Sequence, residues 1–369
     1  MPGNPSSEKP KLLFIYYNPK SAGSFVNRAI AQINHFSEDF EIFLILGEGG
    51  GPFLEVCKEL PVNLIERNLT ENNGLLAYIK SLFWMLSFCR KNRFQLAYIM
   101  DYIYWKPAEI LALKIQRIPT VAFIAFYKEG AAFGGFLSKL DLFVANSKET
   151  GRSFVEAGLG ERLEVIHNFI NPEDFKAKPV SWPFEENSPV IGFVGVLHPI
   201  KGIEYFIQAI PAVLEKHPSA RFVIVGGEKE KGFLKKLQNL CEQLKIEKIV
   251  HFAGHSTNIP GVMASLDMLV VPSLDEPFGY INIEAGASGV PVIASRVGGI
   301  PEIIIDEETG YLVEAKNSEQ ISSRICKLLE KPNLRATIGQ AARKRVVENF
   351  SPEPSLKKWE KVFSRLTQN

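Results

Sequence analysis

Two doubly wound α/β domains in series are the fold class that the sequence predicts, on three observations. The chain has 369 residues, more than one hydrophobic core usually serves, so length favours two domains of about 150–200 residues each. Short apolar runs alternate with helical patterns twice along the chain, which is the mark of parallel sheets covered on both faces. Between the two series lies NPEDFKAKPVSWPFEENSP (residues 171–189), with four prolines and neither helical nor strand period, the composition of a linker.

The elements follow in order. MPGNPSSEKPK at the start is polar and proline-rich and lacks the apolar core of a signal peptide, so it reads as a disordered leader. KLLFIYY, FEIFLILG, QLAYIM, PTVAFIAF and DLFVAN are strand-like, with helical patterns such as FVNRAIAQINHF between them. In the second series VIGFVGV, RFVIVGG, IVHFAG, DMLVVPS and PVIAS are strands, interleaved with helices around GIEYFIQAIPAVLEKH and FLKKLQNLCEQLK and one that begins near Tyr280. After Phe350, apolar Leu356, Trp359, Phe363 and Leu366 recur at spacings of three and four, an amphipathic helix that must cover an apolar surface. The expected division is a leader over 1–10, a first domain over 11–175, a second over 176–350 and the last helix over 351–369.

Composition narrows the function. An apolar share of 46% with 22% charged residues is that of a soluble globular protein. Lysine and arginine (42) balance aspartate and glutamate (41), so no field attracts a polyanion, and nucleic acid is excluded as a partner. Cys57, Cys89, Cys241 and Cys326 are far apart and form no CxxC pair, which points to the reducing cytoplasm. The most apolar stretch, LLAYIKSLFWMLSFC (75–89), falls short of the roughly 20 residues that cross a bilayer and reads as a buried helix of the first domain. Peripheral contact at the inner face of a membrane is its alternative.

Chemistry concentrates in PSLDEPFGYINIEAGASGVPVIASRVGGIPE (272–302). Here a strand ends in a polar loop, and Phe278-Gly279 opens a helix whose unpaired N–H groups and positive dipole end suit an anion such as a diphosphate. Glu276 and Glu284 would repel phosphate directly, but they accept hydrogen bonds from neutral sugar and ribose hydroxyls. In doubly wound sheets ligands sit outside the carboxyl ends of the strands, which is where this loop falls.

The run from Ser273 through Glu276, Phe278-Gly279, Glu284-Ala285, Gly289 and Pro291-Val292 to Gly298-Gly299 and Pro301-Glu302 resembles the donor-site signature of the retaining glycosyltransferase family 4. The likeness extends to GFVGVLHPIKG (192–202), VIVGGE (223–228), HFAG (251–254) and TGYLV (309–313), and so covers nearly all of the second half. In the first half it rests on the strand–helix rhythm and on HNFINPEDF (167–175), which is like the family's interdomain junction. The resemblance implies a GT-B fold, two Rossmann-like domains facing across a cleft, with the last helix crossing back to the first domain. It implies that Gly195 and Lys201 lie at the donor diphosphate, that Glu276 and the amides of Phe278 and Gly279 hold the transferred sugar and phosphate, that Glu284 binds the ribose, and that the backbone near Gly254 meets the base. Glu276 and Lys201 are its candidate catalytic residues. The implied reaction is hexosyl transfer from a nucleotide-diphosphate sugar to a glycan, lipid-linked or small-molecule acceptor, with retained configuration and neither metal nor cofactor, within polysaccharide biosynthesis.

Departures from the family pattern matter as well. Many members carry Arg after the glycine of Gly195-Val196-Leu197, so Lys201 takes the side-chain cation role alone. In the first half Lys20-Ser21-Ala22-Gly23-Ser24 stands where the family has a glycine loop beside phosphate and acceptor, which makes Gly23 a candidate, and Tyr127 or Lys128 occupies the place of a family histidine. No D-x-D triplet supplies a carboxylate pair for a metal-bound diphosphate. Rival readings are an epimerase-like enzyme of the same fold and a non-catalytic sugar-nucleotide binder; no G-x-G-x-x-G follows a strand, which disfavours a dinucleotide oxidoreductase. Sugar, base, acceptor and oligomeric state are not legible in the sequence.

Overall fold

The computed structural model describes residues 9–17, 24–47, 51–67, 74–100, 107–125 and 140–368. Residues 1–8, Gly23 with residues 18–22 before it, Tyr127 and Lys128 lie outside the described residues. The chain divides into two compact units, Met1–Asn168 together with Pro352–Asn369, and Phe169–Ser351.

The first unit contains β1 (Lys11–Tyr16), α1 (Ser24–Phe36), β2 (Glu41–Gly47), α2 (Pro52–Cys57), β3 (Val62–Arg67), α3 (Leu75–Asn92), β4 (Leu96–Ile99), α4 (Pro107–Ile115), β5 (Thr120–Ile124), β6 (Leu142–Ala145), α5 (Lys148–Glu156) and β7 (Leu163–Val165). Among the described residues these strands form one parallel sheet, in the order β3-β2-β1-β4-β5-β6-β7. Its central strand explains why the apolar runs are continuous. Successive side chains point to opposite faces, so Leu12, Phe14 and Tyr16 enter one core while Leu13 and Ile15 enter the other. The helix after the second unit, which in chain order is α13 (Pro352–Thr367), belongs to the first of these cores. Its Trp359 lies 4.7 Å from the Tyr98 ring and its Phe363 stacks on Phe36 at 4.4 Å. Prolines at its start cost nothing there, because the first helical turn has no use for their missing N–H groups.

The second unit contains β8 (Val190–Val194), α6 (Ile203–Lys216), β9 (Arg221–Val225), α7 (Phe233–Gln243), β10 (Val250–Gly254), α8 (Ile259–Ala264), β11 (Met268–Val271), α9 (Tyr280–Ala287), β12 (Val292–Ser295), α10 (Ile300–Ile303), β13 (Tyr311–Val313), α11 (Ser318–Glu330) and α12 (Pro332–Asn349). Its sheet is parallel too, in the order β10-β9-β8-β11-β12-β13. From β8 the chain winds outward through β9 and β10, then returns to place β11 on the other side of β8. Accordingly α6 and α7 pack in one core and α8, α9 and α10 in the other.

Two expectations need correction. The proline-rich stretch 171–189 is no free linker. The Val180 amide donates to the Gly261 carbonyl at 3.1 Å, Trp182 Nε1 donates to Ser265 Oγ at 2.8 Å, and Val180, Trp182 and Phe184 pack against the core of the second unit. Proline removes backbone donors and breaks periodicity, but it does not stop aromatic side chains from docking. For the same reason the division falls after Asn168 rather than after Phe175: the Ile170 amide donates to the Phe350 carbonyl at 3.0 Å, and the 3-10 turn Pro172–Phe175 packs on α8 and α9.

The second correction concerns α3, expected to be buried. Only Met85 and Cys89 of it are buried, while Leu75, Leu76 and Phe83 keep 75%, 76% and 67% of their surface in contact with solvent. One face is held on α4, where Ser81 Oγ donates to Glu109 Oε1 at 3.1 Å. A helix that is apolar nearly all round does not declare in its sequence which face is covered.

All four cysteines are free and buried. Burial pushes the Cys57, Cys89 and Cys241 thiols up to about 12, and the Cys326 thiol upward too. Since the thiolate is the reactive form, an aromatic disulfide reagent at mildly alkaline pH should label the native chain far more slowly than the unfolded one, and reach four thiols per chain only in denaturant. Rapid labelling of any one of them in the native chain would contradict this packing.

Candidate functional site

β8 and β11 are parallel neighbours, paired near their amino-terminal ends with Met268 opposite Ile191 and Leu269 opposite Gly192, so their carboxyl ends point the same way. The helices that follow the two strands, α6 and α9, pack on opposite faces of the sheet, which makes this the topological switch point at which doubly wound sheets form their ligand crevice.

The loop after β8 is shaped by backbone bonds. The Gly195 amide donates to the Val225 carbonyl at 2.9 Å and the Leu197 amide to the Gly227 carbonyl at 2.9 Å, so the chain runs on beside β9. Gly226 is needed for this approach, since a Cβ there would stand 1.8 Å from the Gly195 carbonyl oxygen. His198 then caps the 3-10 turn Pro199–Lys201: its Nδ1 accepts from the Ile200 amide at 3.2 Å, a local structural task. Gly202 turns the chain into α6 in the left-handed region (φ 62°), and a Cβ on it would lie 2.1 Å from the Pro272 carbonyl oxygen. The Leu274 amide donates to the Ile200 carbonyl at 2.8 Å, which locks this turn to the loop after β11.

The lock brings Lys201 to Glu276. Lys201 Nζ donates to Glu276 Oε2 at 2.6 Å, with the two side chains 25% and 12% exposed. A third loop fixes the backbone of Glu276 from the other side. The Gly299 amide donates to its carbonyl at 2.9 Å, and Gly298 (φ 52°) approaches so closely that a Cβ would lie 2.0 Å from that oxygen. Gly279, at φ 95°, starts α9 beside Glu276, and a Cβ there would come within 3.2 Å of Glu276 Cγ. An ammonium, a carboxylate and a helix N-terminus therefore converge at one end of the crevice.

The other sequence candidates fall around this centre in different ways. Glu284 sits in the second turn of α9 and is 8% exposed, so its carboxylate is nearly enclosed. Phe278 turns its ring into the core, 5.7 Å from Tyr280 and 6.1 Å from Phe350, which leaves its main chain as the part available at the helix mouth. Gly195 directly follows β8, on the same loop as Lys201 and beside the end of β9. Gly254 lies at the end of β10, two strands from β8, where its carbonyl accepts from the Gly226 amide at 2.8 Å. Val196, where a cation is frequent in the resembled family, is 39% exposed. The roles of Gly202 and Gly298 are not legible in the sequence, since a single glycine before a helix or in a glycine pair does not reveal which carbonyl it must clear.

Three glycines in the left-handed region separate conformational strain from lack of space. Gly254→Ala meets nothing within 4 Å and should cost about 1–2 kcal/mol, the usual penalty of that conformation for a residue with a Cβ. Gly202→Ala and Gly298→Ala must in addition displace a backbone carbonyl, and should lower stability clearly more when measured by urea unfolding. Equal costs at all three would contradict the close packing around Glu276.

The comparisons with known proteins bear on this unit and on the whole chain differently. Residues 174–345 match the family model described as glycosyl transferases group 1. An uncharacterized glycosyltransferase of Methanocaldococcus jannaschii is 36% identical over 203 residues, 52% of this chain and 51% of that protein. The chain spans about half the length of the curated relatives it matches. Over nearly the whole chain the likeness is one of fold. A glycosyltransferase from Rickettsia africae superposes with a TM-score of 0.87 at 20% identity, covering 98% of this chain and 100% of that one. Anabaena HepE in complex with UDP and glucose gives 0.76 at 21% identity, covering 96% and 99%. The fold is of the GT-B type, with two parallel-sheet α/β domains, and it is residues 174–345, which carry the Lys201–Glu276 pair, that match the group 1 glycosyl transferases.

Proposed function

We propose that this chain is a retaining glycosyltransferase that moves a hexose-type sugar from a nucleotide-diphosphate sugar to a glycan, lipid-linked or small-molecule acceptor, without metal or cofactor. The observation that carries the reading is the 2.6 Å contact between Lys201 and Glu276 at the mouth of α9, in the crevice between β8 and β11. Departure of a nucleoside diphosphate develops negative charge on phosphate oxygens. A fixed ammonium and a helix N-terminus stabilise that charge without reorganising, which is the largest single term in many enzymes.

In this reading Lys201 and the amides at Phe278 and Gly279 take the diphosphate, Glu276 accepts hydrogen bonds from hydroxyls of the transferred sugar, and Glu284 does the same for the ribose. Gly195 and Gly254 give the main chain close access to phosphate and base. The leaving phosphate takes the proton of the acceptor hydroxyl as the new glycosidic bond forms on the same face. The acceptor belongs to the first unit, with the Gly23 loop part of its site. Support for a nucleotide-sugar donor comes from Anabaena HepE, which shares the fold and was crystallised with UDP and glucose. The four buried thiols suit a cytoplasmic setting, and polysaccharide assembly is the proposed context.

Thermal shift against UDP-, GDP- and ADP-sugars tests the donor, since a ligand at a hundred times its Kd adds about 2.7 kcal/mol to stability. One of the three should raise Tm. With that donor, Lys201→Ala should weaken binding by about 10- to 150-fold, the worth of a charge-assisted hydrogen bond of about 1.5–3 kcal/mol. Glu276→Gln should lower turnover more than donor affinity. Binding and turnover untouched by Lys201→Ala would overturn the assignment, and a shift without turnover on any acceptor would favour a non-catalytic binder.

A further inference from the structure

The outer face of α3 carries a pattern that the fold does not use. At 100° per residue, Leu76, Ile79, Phe83 and Arg90 share one stripe, with Lys80, Ser87 and Lys91 along its edge, while buried Met85 and Cys89 lie on the opposite side. Solvent-facing stripes of surface helices are normally polar. Here the first three turns present Leu75, Leu76, Ile79 and Phe83, exposed by 75%, 76%, 36% and 67%. The last turn presents exposed Arg90 and Lys91, followed by exposed Arg93. No acidic side chain stands anywhere in the helix. On its flank the Arg67 guanidinium lies 3.9 Å from the centre of the Trp84 ring, and Trp84 stacks on Phe88 at 5.0 Å, an arrangement of cation and aromatic suited to a headgroup layer.

We infer that α3 is a docking surface for an anionic lipid bilayer, lying in the interface with Leu75, Leu76, Ile79 and Phe83 among the acyl chains and Lys80, Arg90, Lys91 and Arg93 on the lipid phosphates. Charge complementarity selects this partner: the helix and its C-cap carry four cations and no anion, which is what a negative leaflet attracts and what a second copy of the same face repels. Among the described residues no helix is long and apolar enough to cross a membrane, so the contact is one of lying on the surface. The basic residues at the end of α3 also complement its dipole, but that role needs no exposed leucines or phenylalanine at its beginning.

The inference stands apart from sugar transfer and is tested on the full chain by co-sedimentation with vesicles. Phosphatidylcholine vesicles in which about a third of the lipid is phosphatidylglycerol should bind the protein at low salt and release it as salt is raised, while phosphatidylcholine alone should bind far less. Phe83→Ser should weaken binding to the anionic vesicles by about 10- to 100-fold, the worth of one buried aromatic side chain. The double variant Arg90→Glu, Lys91→Glu should weaken it by about thirtyfold or more and remove the preference for anionic lipid. Both variants change exposed positions, so their thermal unfolding and any donor-induced shift should match the parent chain. Absence of binding to anionic vesicles at low salt would overturn the inference, as would binding that neither variant reduces. Concentration-dependent self-association that Phe83→Ser abolishes, without vesicle binding, would assign the face to a second copy instead.

Discussion

The contact on which the second unit's chemistry depends is between one ammonium and one carboxylate, Lys201 and Glu276, and it is held by the main chain. Neither residue is placed by its own side chain. Three loops from three strand ends meet: the one after β8 is bonded to the one after β11 through Leu274 and Ile200, and the one after β12 grips the carbonyl of Glu276 through Gly299. Glycine is required at Gly202 and Gly298 because each runs within contact distance of a carbonyl oxygen in a conformation that side chains disfavour. A partly buried ion pair gains little net stability once desolvation is counted, so its presence in the crevice is better explained by what it can do there.

The two units are variants of one plan. Each is a parallel sheet in which the chain winds outward from a central strand and then restarts on the other side, and in each the central strand is apolar on both faces. Such a plan leaves the strand ends free to vary, and the second unit uses them for polar and glycine-rich turns. In the first unit the plan is completed by a helix from the far end of the chain: without α13 the aromatic face formed by Phe14, Phe36 and Tyr98 would be open to water.

Much of this was legible in the sequence. Strands with continuous apolar runs and helices with a three-and-four spacing announce themselves by period alone, and the amphipathic end of the chain announced that it covers something. Glu276 and Gly279 could be singled out because a polar loop, a glycine and a helix start in one order have a chemical meaning, and Lys201 through the family resemblance. What could not be read were facts of the third dimension. Nothing in 171–189 shows that Trp182 reaches Ser265, nothing in the apolar stretch 75–89 shows which side meets solvent, and nothing in His198 shows that its ring is occupied by the Ile200 amide. The separation of 75 positions between Lys201 and Glu276 hides a contact that only the strand order β8-β11 creates.

In the proposed function, Lys201 exchanges its carboxylate partner for a phosphate when the donor arrives. A crystal structure of the chain with the nucleoside diphosphate of whichever donor raises its Tm measures this directly. It should show the diphosphate at the mouth of α9, with Lys201 Nζ within hydrogen-bond distance of a phosphate oxygen and Glu276 turned to the side on which the sugar would lie. A nucleotide bound elsewhere, with the Lys201–Glu276 contact intact and the mouth of α9 filled by solvent, would contradict it.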